Sequence, residues 1–362
     1  MKIVEIIASL DVGGAERALA QRLRFQPKGA ETTVIHGPPR TDKQIRLPET
    51  ARQTQVNLSR RNLRREIEAE CPDVVIVHNP LSLIRLPKRT RCRQGALVVF
   101  VAHAAVISER KWKAFLLLVP FRLSLRKSDT VVAVSGQAGR QVGGGSEITV
   151  VPLGSELDST APEPSEIPYL NWLEGATIKF LVLARLTRTK NIANLLKAIG
   201  TLSHEFQQAG ARLLIVGDGP EKPRLEEMVR QLDLCFFVLF APTTNSPSSY
   251  LRASDYLVIV STSEGGPLTA YEALLAGTTL ISTEVGVVPE ISGSFPESVL
   301  LCKGSDEFSI RTALQQALDN DRRPSITKVA GDEYSAESCA RTFYATLTRK
   351  AETRTSTHTG QR

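Results

Sequence analysis

Hydrophobic residues along the chain gather into short apolar runs separated by longer stretches with helical spacing. In the first half the runs are Ile3–Ser9, Thr32–His36, Val74–His78, Val98–Ala102 and Thr130–Val134. In the second half they are Lys179–Ala184, Arg212–Val216, Phe236–Phe240, Tyr256–Val260 and Thr279–Ser282. Val, Ile and Leu dominate them, as suits parallel strands buried on both faces. Their alternation with helices predicts βαβ units and one doubly wound parallel sheet in each half, an α/β chain of two Rossmann-like domains. Cys339, Phe343 and Leu347 recur at helical spacing and predict a terminal helix over Ala336–Lys350. Ser155–Gly175, with Pro162, Pro164 and Pro168, is the expected linker. The expected domains are therefore 1–160 and 161–333, followed by the helix 334–350 and a frayed, flexible tail 351–362.

Composition changes this picture little. Hydrophobic residues make up 42% and charged residues 23% of the 362, close to globular averages, which excludes coiled-coil, collagen and disordered classes. The apolar N-terminus is short, interrupted by Glu5 and followed by Gly13-Gly14, so it reads as a buried first strand and not as a signal peptide. No run approaches the length of a membrane span. Cys71, Cys92, Cys235, Cys302 and Cys339 form no Cys-x-x-Cys pair and are odd in number, so free thiols in a reducing cytosol are expected and a zinc site is not.

Charge is more informative. The net +7 arises wholly in the first half. Fifteen Lys and Arg face five Asp and Glu between Arg60 and Lys127. That surface suits nucleic acid, an anionic membrane or an acidic acceptor. Within it, Lys111–Lys127 combines cations, Trp112 and a run of leucines, which fits either an interfacial amphipathic helix or a core helix with charged ends.

Four segments of the second half carry chemistry, each just after a predicted strand. Arg185 and Lys190 leave the first strand, and two cations at a strand end suit a diphosphate, although alone such a pair is more often surface charge. Gly217-Asp218-Gly219-Pro220 forms a turn that lets backbone approach a ligand. Ser261–Ala273 sets Glu264 and Glu272 on either side of a helix start, with Pro267 expected at the first helical position. Exposed amides near Leu268-Thr269 would then favour phosphate or sugar oxygens, with Gly265 and Gly266 beside them. Glu264 falls at the carboxyl edge of the sheet, and Glu272 is placed to meet a ribose diol from inside the helix. Taken alone, such a stretch is more often an acidic loop with a solvated helical Glu. Gly286-Val287-Val288-Pro289-Glu290 is the fourth segment. No third glycine follows Gly217 and Gly219 at dinucleotide spacing, no P-loop occurs, Gly143–Gly145 reads as a loop, and Ser135-Gly136 lacks a hydrolase context.

In this order and spacing, the segments resemble the donor domain of family 4 of the retaining glycosyltransferases, which have the GT-B fold. That family shows an Arg-Leu-x-x-x-Lys element, a Val-Gly-x-Gly-Pro turn, a Glu-x7-Glu element and a Gly-x-Pro-Glu element, and each has its counterpart here. In the first half, Asp11–Arg17 resembles the family's glycine loop, and Val131–Ser135 and Val150–Gly154 resemble the end of its first domain. The resemblance spans roughly residues 1–350. It implies two domains facing across a cleft, with the terminal helix packing back toward the first. It implies that Gly13 and Gly14 lie against the donor phosphates and that His103 sits near the donor sugar. His78 is read either as an acceptor contact or as structural. Ala104, Gly286-Val287-Val288 and Gly266 depart from the family's usual residues, which bears on which sugar fits.

The resemblance implies metal-independent transfer of a hexosyl group, with retention, from a nucleoside diphosphate sugar such as a UDP- or GDP-sugar to a hydroxyl. Arg185, Lys190 and the helix start would stabilise the leaving diphosphate, Glu264 would bind the sugar and Glu272 the ribose. His103, Glu264, Arg185 and Lys190 are the expected catalytic set, and no cofactor is expected. Gly13, Gly14, Arg185, Lys190, Gly217, Gly265, Gly266, Leu268, Thr269 and Glu272 form the expected donor set. Expected partners are the donor, a glycan or lipid-linked acceptor and an anionic membrane surface, but not nucleic acid. The expected setting is cell-surface polysaccharide or lipopolysaccharide synthesis, cytoplasmic or peripheral at the inner membrane face. A sugar-nucleotide 2-epimerase of the same architecture and a non-catalytic sugar-nucleotide-binding subunit are the alternatives.

Overall fold

The computed structural model describes residues 1–11, 13–87, 96–103, 119–142, 147–319 and 333–359, the last five of these by main chain only. The chain divides into two compact units, Met1–Gly154 with Tyr334–Arg362, and Ser155–Glu333. Each is built on one parallel sheet. In the first unit the strands are β1 (Lys2–Ile7), β2 (Glu31–His36), β3 (Ala51–Gln55), β4 (Val74–Val77), β5 (Leu97–Ala102), β6 (Thr130–Ala133) and β7 (Ile148–Val150). They lie in the order β3-β2-β1-β4-β5-β6-β7. In the second unit they are β8 (Ile178–Leu183), β9 (Ala211–Val216), β10 (Val238–Ala241), β11 (Tyr256–Ile259), β12 (Thr279–Thr283) and β13 (Val299–Cys302), in the order β10-β9-β8-β11-β12-β13.

Both orders reverse once, between β1 and β4 and between β8 and β11. At such a point the loops leaving the carboxyl ends of neighbouring strands diverge to opposite faces and open a crevice, where ligands of doubly wound sheets bind. Central strands are apolar on both faces; every residue of β4, β5 and β6 is buried. In the second unit Phe180 of β8 stacks on Phe206 and Tyr256, with centroids 5.4 and 5.3 Å apart. Each such pair contributes about 0.5–1.5 kcal/mol beyond its buried area.

Three strands escape the sequence pattern, and all three are edges. β3 is Ala-Arg-Gln-Thr-Gln, largely exposed, and β7 has three residues. β13 is apolar but only four residues long. An edge strand has one neighbour and partial cover, so nothing requires a long apolar run. β10 begins at Val238, two residues later than expected, and Phe236 is 85% exposed.

Other expectations are corrected. The interval expected as linker is folded into the second unit: it holds the helix Pro168–Glu174, which buries Leu170 and Leu173. The Asp158 amide there donates to the Ser248 hydroxyl at 2.9 Å, and Arg212 lies over the Trp172 ring at 5.2 Å. The terminal helix runs from Ala336 to Thr359, so most of the expected flexible tail is helical. It packs on the helix Gly14–Arg24 and on β5. Arg354 is anchored to the Ala96 carbonyl (2.9 Å) and to Asp129. Cys71 is disulfide-bonded, with a partner outside the described residues, while Cys235, Cys302 and Cys339 are free. The expectation of free thiols rested on sequence spacing, whereas a disulfide needs only spatial proximity of about 5.5–6 Å between Cα atoms.

Candidate active site

The second unit's reversal point gathers several of the expected residues. After β8 the chain passes Arg185 and enters a 3₁₀ turn at Arg188–Lys190; after β11 it passes Ser261–Gly266 and enters the helix Leu268–Ala276. These two loops are tied together. Lys190 Nζ contacts Glu264 Oε1 directly, and the Ser261 hydroxyl donates to the same oxygen at 2.7 Å. The Thr262 amide donates to the Thr189 carbonyl at 2.8 Å. Arg185, five positions before Lys190, is exposed, and its guanidinium has no partner among the described residues.

Asn191, which the sequence reading left without a role, supports this arrangement. Its backbone is left-handed (φ 59°), and its side-chain amide donates to the Val260 carbonyl at 3.1 Å and to the Ser305 carbonyl at 2.7 Å. Asparagine tolerates this backbone better than most residues. The result binds the Lys190 turn to the end of β11, the strand that delivers Glu264.

The helix Leu268–Ala276 begins just after Gly265 and Gly266. Pro267 is its N-cap and not its first helical residue as expected, and no side chain caps it. Leu268 and Thr269 form the first turn; Gly265 and Leu268 are buried, whereas Gly266 and Thr269 are partly exposed. Gly286 (φ 57°) presses on this turn: a Cβ there would lie 2.8 Å from the Gly265 carbonyl. Glu272 is 1% exposed and accepts from the Ser155 hydroxyl at 3.4 Å. Gly217 has a different reason for being glycine than the one expected. With φ 153°, its Cβ would fall 1.9 Å from the Ala184 carbonyl, so packing against the Arg185 loop by itself requires glycine here. The Leu186 amide donates to the Asp218 carbonyl at 2.8 Å, completing that contact.

The first unit's reversal point is built differently. Gly13 is the N-cap of the helix Gly14–Arg24; a Cβ on it would meet the Glu16 carboxylate at 2.4 Å, while Gly14 faces open space. His103 follows β5, and its Nε2 lies 2.8 Å from Nδ1 of His78, which follows β4. His78 Nε2 lies 2.7 Å from Glu5 Oε2, and Arg22 contacts the same oxygen. Glu5 is 0% exposed in the middle of β1. Arg22 in turn lies 3.9 Å above the Phe343 ring of the terminal helix. Burial alone would raise the Glu5 carboxyl, but Arg22 and His78 outweigh it and hold it below the usual range. Burial lowers His78 and, with His78 and Arg22 nearby, holds His103 well below the ordinary histidine value. The sequence showed Glu5 only as an interruption of an apolar run. A charged residue inside a strand buried on both faces was the available signal, because such a group requires partners.

The first part of the expected amphipathic segment, 111–118, lies outside the described residues, as do Ala104, Cys92 and Gly143–Gly145. Of its remainder, residues 119–125 are helical and expose Val119, Arg122 and Leu123, with Arg126 exposed just beyond. Lys127 is used internally: its ammonium donates to the carbonyls of Leu83, Ile84 and Leu86 at 2.7–3.2 Å. Among the described residues no helix is long and apolar enough to cross a membrane.

Two family models match the chain: Glycosyltransferase Family 4 over residues 12–159 and Glycosyl transferases group 1 over residues 173–332. EpsF of Bacillus subtilis (strain 168) is 30% identical over 230 residues, covering 57% of this chain and 59% of that protein. The chain thus spans less than two thirds of this curated relative. Among solved structures, sucrose-phosphate synthase from Thermosynechococcus elongatus superposes with a TM-score of 0.78 at 20% identity, covering 98% of this chain and 99% of that one. Anabaena HepE in complex with UDP superposes with a TM-score of 0.75 at 15% identity, covering 96% and 100%. These likenesses establish the GT-B fold, and the two models together match residues 12–159 and 173–332, most of the chain. The chain belongs to the GT4-type glycosyltransferases.

Proposed function

We propose that the protein is a retaining glycosyltransferase that moves a hexosyl group from a nucleoside diphosphate sugar to a hydroxyl. The observation that carries this reading is the constellation at the β8/β11 reversal: Arg185, the Lys190–Glu264 pair and the uncapped start of Leu268–Ala276. A departing diphosphate gains charge in the transition state. Two cations and preorganised amides stabilise that charge, with no metal required of the reaction. Lys190 and Ser261 both bind Oε1 of Glu264, leaving Oε2 for a sugar hydroxyl. Glu272 is assigned to the ribose, Gly13 and Gly14 to the phosphates and His103 to the transferred sugar. That HepE was solved with UDP supports a uridine donor among those to be tried.

The acceptor is assigned to a lipid-linked glycan of cell-surface polysaccharide or lipopolysaccharide synthesis. Exposed Val119 and Leu123 beside Arg122 and Arg126, and exposed Arg60, Arg61, Arg64 and Arg65, support docking at an anionic bilayer. Each basic residue near such a surface contributes about 1 kcal/mol.

Thermal unfolding with a panel of UDP- and GDP-sugars tests the donor. A ligand that binds only the folded state raises the melting temperature. The expected result is stabilisation by one sugar nucleotide, abolished in Lys190→Ala, followed by transfer to a lipid-linked acceptor with the anomeric configuration kept. No stabilisation by any nucleotide would overturn the reading.

A further inference from the structure

We propose that Glu5, held by Arg22, acts through His78 as a positioning residue that fixes which ring nitrogen of His103 carries the proton. The inference rests on the assignment of His103 to the transferred sugar made above, and concerns how that ring is prepared.

The geometry leaves little choice. An ionised carboxylate only accepts, so the 2.7 Å contact with Glu5 requires His78 Nε2 to be the donor. A neutral His78 then has only a lone pair at Nδ1. The 2.8 Å contact there requires His103 Nε2 to donate. His103 is thereby committed to the Nε2–H form, and its Nδ1, buried and without a partner among the described residues, is the one ring nitrogen left uncommitted. The two imidazoles meet edge to edge, 29° from coplanar with centroids 5.1 Å apart, as a direct N–H···N contact requires.

The neutrality of His78 has its own cause. Arg22 already balances Glu5, so a second cation in the same enclosed space would have no counter-charge. The groups facing this chain are Glu5 from β1, Arg22 from the first helix, His78 and His103 from the ends of β4 and β5, and Tyr344 from the terminal helix. None of the others is a carboxylate. Burial keeps both histidines below their ordinary range, in agreement with this assignment. The arrangement follows a general rule: the partner of one imidazole nitrogen decides the state of the other.

The chain contains five histidines, so selective ¹⁵N-histidine labelling of the full-length protein gives few ring signals, assignable by single His→Asn variants. Long-range ¹⁵N–¹H spectra at pH 7.5 should show His78 and His103 both protonated at Nε2 and bare at Nδ1. His78→Phe keeps ring shape and leaves the Glu5–Arg22 pair intact, so it tests the coupling without exposing a buried charge. There His103 should become a mixture of tautomers. The turnover number should fall roughly ten- to hundredfold, the size of loss typical when a supporting partner is removed. The KM for the donor should stay near its original value, and the pH profile should shift. His103 protonated at Nδ1 in the wild-type protein, or an unchanged His103 spectrum in His78→Phe, overturns the proposal. If instead the tautomers are as stated but His103→Ala transfers sugar normally, the assignment of His103 to the reaction fails and the positioning chain stands.

Discussion

The two units share a topology and differ in what they place at its reversal point. In the second, the β8/β11 crevice presents Arg185 to solvent, a partly exposed Lys190–Glu264 pair and an uncapped helix start. In the first, the β1/β4 junction encloses Arg22, Glu5 and His78, and links them to His103. One arrangement holds cations where an anion can reach them. The other holds titratable groups out of water, where their protonation states are set by one another. The same backbone pattern therefore carries exposed cations in one case and an enclosed chain of titratable groups in the other, and the side chains placed around the reversal point decide which.

The comparison is sharpest at the cations. Arg185→Ala and Lys190→Ala should each remove about 1.5–3 kcal/mol of charge-assisted binding, roughly ten- to a hundredfold in kcat/KM. Steady-state kinetics alongside circular dichroism measures this; unchanged kinetics in both variants would break the assignment of the crevice. Next comes Gly217→Ala. A Cβ only 1.9 Å from the Ala184 carbonyl should cost about 2–4 kcal/mol and loosen the Arg185 loop, read as a fall in the melting temperature of the second unit.

A smaller effect is expected from pH in the first unit. His78 and His103 titrate below the unfolded value of about 6.5, so the unfolded chain binds protons that the fold excludes. Their contribution is present above that pH and is lost as pH falls below it. Glu5, held low, adds the same sign at more acid pH. Calorimetry should show a melting temperature nearly constant from pH 8 to 7, then falling toward pH 5, with a shallower fall in His78→Phe. The smallest expected effect is none: on the proposed assignment, Arg185, Lys190 and backbone amides meet the diphosphate charge, so excess EDTA should leave turnover unchanged. Loss of activity on chelation, restored by a divalent ion, would contradict that.

Much of this protein is written locally. Runs such as Val74–Val77 and Leu213–Val216 can be recognised because a strand covered on both faces must be apolar throughout, and that demand acts on each residue independently of its neighbours in space. The order and spacing of Arg185, Lys190, Gly217, Glu264 and Glu272 likewise sufficed to mark the resemblance to the glycosyltransferase family, because each sits at a fixed offset from a strand end. What the sequence could not display were relations between distant segments. The edge strands β3 and β7 exist because a neighbour offers hydrogen bonds, not because their own residues are apolar. Gly217 is glycine because of the Ala184 carbonyl, 33 positions earlier in the chain, and Asn191 matters because Val260 and Ser305 arrive beside it. Glu5, Arg22, His78 and His103 are separated by 17 to 73 positions in their paired contacts, and only the parallel register of β1 with β4 and β4 with β5 brings them within hydrogen-bonding distance. A buried charge is tolerated only where folding delivers its partners, so tertiary structure alone turned an interruption in an apolar run into the anchor of a proton-positioning chain.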